Sequence, residues 1–243
     1  MLIIMKFGGS SLKDNDCIRM AASRITWELS LGNQVVAVVS AQGDTTDDLT
    51  QKAAGITPCP DPRELDMLLS TGEQASASLM ALAVRALGYS AVSLTGWQAG
   101  LHTDGNHTDA KVSHLEGHRI TDHLQKKTAV IVAGFQGVSP CGDITTLGRG
   151  GSDTTAVALA AFLQADECRI YTDVDGIYDK DPRKFSDGKK FEVIDYKTML
   201  NMARQGAQVL HDRSVELAMT HHIPIRVLST FCPGPGTLVT DTL

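Results

Sequence analysis

The 243-residue chain is 42% hydrophobic, enough to bury a substantial core in one α/β domain of two lobes, and its 22 basic and 28 acidic residues leave a net charge of −6 that gives no general attraction to nucleic acid or an anionic membrane. Five cysteines, odd in number and never spaced C-x-x-C, speak against a disulfide framework or a zinc site and for a reducing compartment. The apolar run after Met1 ends at Lys6, too early for a secretory core, and no window approaches the roughly 18 apolar residues of a membrane span, so a cytoplasmic location is expected.

Residues 2–7 form a short apolar run into Gly8-Gly9-Ser10-Ser11, the pattern of a buried strand delivering the backbone into a flexible turn. Ile18, Ala21, Ala22, Ile25 and Leu29 recur at offsets of three and four and predict a helix stopped by Gly32-Asn33. Residues 35–39 read as the next buried strand. Pro58, Pro60 and Pro62 predict a surface loop over 53–63, and Ala75, Leu79, Leu82, Ala83 and Ala86 mark a further amphipathic helix. Strands over 91–94, 129–133, 169–172 and 223–228 alternate with helices over about 153–163 and through 196–221. That alternation predicts a mostly parallel sheet covered on both faces, with ligands bound beyond the carboxyl ends of its strands.

The sharpest local feature is Thr145-Thr146-Leu147-Gly148-Arg149-Gly150-Gly151-Ser152-Asp153-Thr154-Thr155, which runs into the apolar stretch 156–163. Three glycines permit close backbone approach, and the following helix start offers unpaired N–H groups and the positive end of its dipole. Gly8-Gly9-Ser10, with Lys6 just before it, is a second anion cradle with a mobile cation. Each cluster alone reads equally as a tight turn or a helix cap. Together, Lys6 in an apolar strand and Arg149 inside a glycine run are costly choices for simple turns. Neither loop is a Walker A or dinucleotide fingerprint.

These residues resemble the aspartokinases. Lys6-Phe7-Gly8-Gly9-Ser10-Ser11 resembles the opening of that family, and residues 147–155 resemble its substrate loop. Tyr171-Thr172-Asp173-Val174-Asp175-Gly176-Ile177-Tyr178 with Asp181-Pro182-Arg183 resembles its nucleotide segment. Ser40-Ala41-Gln42-Gly43 with Thr46, and Ser70-Thr71-Gly72-Glu73, fall between them in the matching order. The resemblance implies an α/β fold, an αβα sandwich around a mostly parallel sheet of about eight strands. It implies one catalytic domain over 1–243, with a substrate-binding lobe over about 1–145 and a nucleotide-binding lobe over about 146–243.

The resemblance further implies ATP-dependent phosphorylation of the side-chain carboxylate of L-aspartate, feeding lysine, threonine and methionine synthesis. Lys6, Phe7, Gly8, Gly9 and Ser10 would meet the phosphates of ATP and its Mg2+, and Thr172, Asp173, Tyr178 and Arg183 would line the nucleotide pocket. Arg149 would grip the α-carboxylate and Glu73 the α-ammonium, with Ser40, Thr46, Gly151 and Ser152 bonding the substrate and Asp153 organising the loop or the magnesium shell. A carboxylate acceptor of pKa about 4 is already ionised at neutral pH, so no general base and no catalytic histidine are needed. Five of the eight histidines fall in the polar stretch 102–123 and read as surface residues.

Two positions depart from the family pattern: Gln208, where a lysine is frequent, and Asp212, where proline is common. The resemblance also reaches only the kinase part of typical aspartokinases. The expectation is therefore a homodimer without intrinsic feedback, or one served by a separate polypeptide with ACT domains. The competing readings are a kinase of the same fold acting on another carboxylate and a silent nucleotide- or amino-acid-binding subunit.

Overall fold

Ile3, Ile4, Met5 and Phe7 of the first strand, β1 (Leu2–Phe7), are fully buried, as an unbroken apolar run on a two-sided sheet requires. After a 3₁₀ turn over Gly9–Leu12, α1 (Asn15–Ser30) begins at Asp14, whose side chain accepts the Cys17 N–H at 2.8 Å. There follow β2 (Gln34–Val39), α2 (Thr45–Ile56), α3 (Pro62–Ala86), β3 (Ala91–Leu94), β4 (Leu101–Thr103), β5 (Val112–Leu115), α4 (His118–Gln125) and β6 (Ala129–Ala133). The remainder is β7 (Gln136–Val138), β8 (Ile144–Thr146), α5 (Gly151–Phe162), β9 (Glu167–Thr172), β10 (Val193–Asp195), α6 (Tyr196–Arg204), α7 (Asp212–His221), β11 (Ile225–Ser229) and β12 (Thr237–Thr240). This computed structural model describes residues 1–180, 185, 187–207 and 209–241. Asp181, Pro182, Arg183 and Gln208 lie outside the described residues.

Eight strands form one sheet in the order β10-β12-β11-β9-β1-β2-β6-β3, parallel throughout except between β11 and β12. Strand alternation divides the core in two. Ile4, Val36, Val38, Val130 and Val132 face α4, α5, α6 and α7, whereas Ile3, Met5, Phe7, Val35, Ala37 and Ile131 face α1 and α3. The αβα sandwich is thus present, with β1 near its centre. A second sheet, β5-β4-β7-β8, is built from strands of three or four residues whose patterns are too short to read from sequence. Among the described residues no helix is long and apolar enough to cross a membrane.

Three expectations need correction. The loop is confined to 57–61: α2 runs on through Ile56, and Pro62 opens α3. Proline breaks helix interiors, but at the first helical position its missing N–H has no intrahelical partner to lose, and Asp61 accepts the Arg63 and Glu64 N–H groups. The inward stripe of α3 is not the leucine stripe: Leu79 and Leu82 are 36% and 63% exposed, while Leu69, Ser70, Glu73, Ser76, Ala77, Met80 and Val84 are buried. Small residues allow close approach there, since a Cβ on Gly72 would stand 2.8 Å from Ala41 Cβ. Lastly, 196–221 is two helices, because Gly206 at φ +102° turns the chain out of α6.

Candidate active site

The alternation of β1 that sends Phe7 toward α1 and α3 sends Lys6 to the opposite face, where α5 begins. Lys6 Nζ lies 2.6 Å from Asp153 Oδ1, with both side chains about seven-eighths buried. The contact is ionic: Oδ1 takes no well-aligned hydrogen bond. This pair lies on a cavity of about 520 Å³ that also holds Ser40, Thr46, Glu73, Arg149, Gly151 and Ser152. Eight residues singled out in the sequence are therefore brought to one place from β1, the end of β2, α2, α3 and the start of α5.

Each wall has its own cause. The Ser40 N–H donates to Phe7 O at 3.1 Å, holding the end of β2 against the end of β1. Gly148 and Gly150, at φ +70° and +71°, flank Arg149 with the left-handed backbone that glycine tolerates, and Arg149 emerges exposed with no ion pair among the described residues. Ser152 follows at the first turn of α5, so close to Gly134 that a Cβ there would stand 2.9 Å from Ser152 Oγ. Glu73 is 3% exposed; its Oε1 accepts the Ala41 N–H at 3.0 Å, and its Oε2 has no partner. Burial pushes its carboxyl from 4.5 up to about 7.

Apart from Lys6, the described residues expected on the nucleotide side lie beside this cavity rather than on its lining. Gly8 N–H donates to Tyr171 O at 3.4 Å, Ser11 Oγ and Thr230 Oγ1 are 2.7 Å apart, and Thr230 N–H donates to Thr172 O at 3.0 Å. The ends of β1, β9 and β11 are thereby stitched together. A Cβ on Gly9 would stand 2.9 Å from Ala41 O, so its glycine is required by the crossing of 41–43. Ser10 is exposed in the 3₁₀ turn. Thr172 donates to Asp173 at 3.0 Å, and Tyr178 donates to Asp175 at 2.8 Å. Phe7 is in the core, stacked on Tyr171 at 4.8 Å, so its side chain is closed off from any ligand. Asp212 is the first residue of α7, its Oδ1 2.8 Å from His211 Nδ1.

The lining or supporting residues not read from the sequence include Thr108 and Phe135 on the cavity and Asp66 beneath it. Asp66 lies seven residues before Glu73, two helical turns, so tracing the helix back to Asp61-Pro62 puts the two carboxylates on one face without revealing what Asp66 holds. Of the histidine-rich stretch, His102, His114 and Glu116 gather on the small sheet with ligand atoms within 4.8 Å of one another. None of these three lines the cavity.

A doubly covered, mostly parallel sheet whose glycine loops gather at the carboxyl ends of its central strands defines a class. The chain belongs to the amino acid kinase family, whose description matches residues 1–229. Within that family it is similar to aspartokinases. That of Mycobacterium tuberculosis is 51% identical over 243 residues, covering 100% of this chain and 58% of that protein. The crystal structure of aspartate kinase from Synechocystis superposes with a TM-score of 0.88 at 44% identity, covering 100% of this chain and 40% of that one. E. coli aspartokinase III in complex with aspartate and ADP gives 0.89 at 26% identity, covering 100% and 65%. The chain spans about 58% of the length of the curated relatives it matches.

Proposed function

We propose that this chain is the catalytic unit of an aspartokinase, transferring the γ-phosphoryl group of ATP to the side-chain carboxylate of L-aspartate to give 4-phospho-L-aspartate. The observation that carries the reading is one cavity lined by both a buried carboxylate with an unpartnered oxygen, Glu73, and a guanidinium without an ion pair among the described residues, Arg149. A free amino acid presents an ammonium to the first and a carboxylate to the second. An N-acylated acceptor would leave Glu73 facing an uncharged amide. The likeness to a kinase solved with aspartate and ADP supports the same pairing of substrates.

In this reading Ser40, Thr46, Gly151 and Ser152 bond the amino acid and direct its side chain toward Lys6. The acceptor is already ionised, so the chain supplies no base; it supplies alignment and positive charge for two approaching anions. Lys6 provides the mobile charge, and the first-turn N–H groups of α5 provide fixed dipoles. Asp153 offers an oxygen ligand of the kind Mg2+ prefers, and Mg2+ held there on the phosphates would neutralise further charge. Gly8, Gly9, Ser10 and the Phe7 backbone flank the phosphates, with Thr172, Asp173 and Tyr178 on the nucleoside side. The cavity then lies at the junction of a substrate lobe over about 1–145 and a nucleotide lobe over about 146–243. The protein is read as cytoplasmic and homodimeric, with Trp27 and Leu82, each 63% exposed, among the apolar side chains open to a second copy.

The test is incubation of the chain with ATP, Mg2+ and hydroxylamine together with L-aspartate, L-glutamate or N-acetylglutamate, reading trapped hydroxamate and ADP. Hydroxamate with aspartate alone is expected. Hydroxamate only with another acid replaces the substrate, and none with any acid while ATP binds favours a silent subunit.

A further inference from the structure

Asp66 is 0% exposed on α3, and no lysine or arginine pairs with it among the described residues. Its carboxylate is instead filled by one short segment and one strand. Oδ2 accepts His107 Nδ1 at 2.8 Å, both oxygens accept the Thr108 N–H at 3.1 and 3.0 Å, and Oδ1 accepts Thr146 Oγ1 at 2.5 Å. A carboxylate can only accept, so His107 stands with its proton on Nδ1.

The segment so held is strained. Thr108 has φ +66°, a conformation that a β-branched residue adopts only when its surroundings impose it. Thr108 lines the cavity and also supports its neighbour. A Cβ on Gly148 would stand 2.8 Å from Asp109 Oδ1 and 3.2 Å from Thr108 O, so the glycine loop rests directly on this segment. The underside is fastened further: the Ala110 N–H donates to Thr146 O at 2.9 Å, and Arg213 lies 2.7 Å from Asp109 while donating to Leu147 O. Asp66 and Glu73 share one face of α3, which places the anchor of the loop and the unpartnered carboxylate on a single rigid element.

We propose that Asp66 is a positioning residue of the acceptor site: by holding His107 and Thr108 beneath Gly148 it sets where Arg149 stands relative to Glu73. The inference rests on the reading of the cavity as an amino-acid site. Its mechanical part, the hold of Asp66 on the glycine loop, stands on the contacts alone.

The test pairs steady-state kinetics with backbone hydrogen exchange on the full chain carrying Asp66→Asn or His107→Ala. In Asp66→Asn the KM for aspartate should rise about tenfold, that for ATP should stay within about twofold, and amides over 147–151 should exchange faster. His107→Ala should move the same readouts in the same direction, and decides the matter should Asp66→Asn not fold. Adding Thr108→Gly to Asp66→Asn should restore part of the lost protection, because glycine takes φ +66° without strain. Unchanged exchange over 147–151 in both folded variants, or equal rises in both KM values, would overturn the proposal. If the unaltered chain turns over no aspartate, the substrate reading alone fails, and the exchange comparison still decides what Asp66 holds.

Discussion

Lys6 on β1 and Asp153 on the first turn of α5 meet at 2.6 Å, joining the two glycine clusters through one ion pair. Truncating Lys6 removes the cation and leaves Asp153 buried beside the glycine loops. Lys6→Ala should lower kcat by about 10²- to 10³-fold, the range for losing one preorganised electrostatic contact. Calorimetry should still find aspartate binding. Loss of aspartate binding with little change in single-turnover rate would instead make Lys6 a substrate ligand.

Arg149 is exposed between two left-handed glycines with no carboxylate partner among the described residues, an arrangement that leaves its guanidinium open to a ligand. A bidentate charged pair contributes about 1.5–3 kcal/mol, so Arg149→Ala should raise the aspartate KM by about 10- to 100-fold with a smaller effect on the ATP KM. Arg149→Lys should recover only part, because an ammonium cannot reproduce the planar fork. An unchanged aspartate KM in Arg149→Ala would reverse the orientation assigned to the substrate.

The large sheet was legible because buried parallel strands are continuous apolar runs, and the run before Gly8 could be read as a strand end without any structure. Lys6 stood out for the same reason, as a charge interrupting such a run. The small sheet was not legible: β4, β7 and β8 have three residues each, below the length at which a period can be measured. Asp66 and Thr108 escaped for a different reason. Their importance comes from contacts 42 residues apart, and nothing local marks Thr108 as left-handed. Leu79 and Leu82 of α3 misled because they face outward, where the packed face combines Leu69, Met80 and Val84 with Ser, Gly and Ala.

Gly72 offers a stability contrast with Gly55. A Cβ at 72 would stand 2.8 Å from Ala41 Cβ and 3.4 Å from Thr45 Cγ2, forcing α3 away from the segment that donates Ala41 N–H to Glu73. Gly72→Ala should destabilise by about 1–3 kcal/mol in urea unfolding and raise the aspartate KM. Nothing lies within 4 Å of a Cβ at Gly55, inside α2, so Gly55→Ala should stabilise by about 0.5–1 kcal/mol. Equal midpoints for both variants would contradict the close packing of α3.

Glu73 makes the cavity sensitive to pH. Burial raises its carboxyl from 4.5 to about 7, so between those values the native chain holds a proton that the unfolded chain has released. Its contribution to stability is full below about pH 4.5 and is lost as pH rises through 7. A shift of this size corresponds to about 3 kcal/mol, and Glu73→Gln should gain that much relative to the unaltered chain between pH 4.5 and 8 in denaturant titrations. The sign reverses for ligand binding. In the proposed site the α-ammonium of aspartate would stabilise the ionised carboxylate, so the aspartate KM should fall as pH rises through about 7, and binding at pH 6.5 should release a proton detectable by calorimetry in buffers of different ionisation enthalpy. Glu73→Gln should bind aspartate weakly with neither dependence. A KM that rises with pH in the same window would place the ammonium away from Glu73.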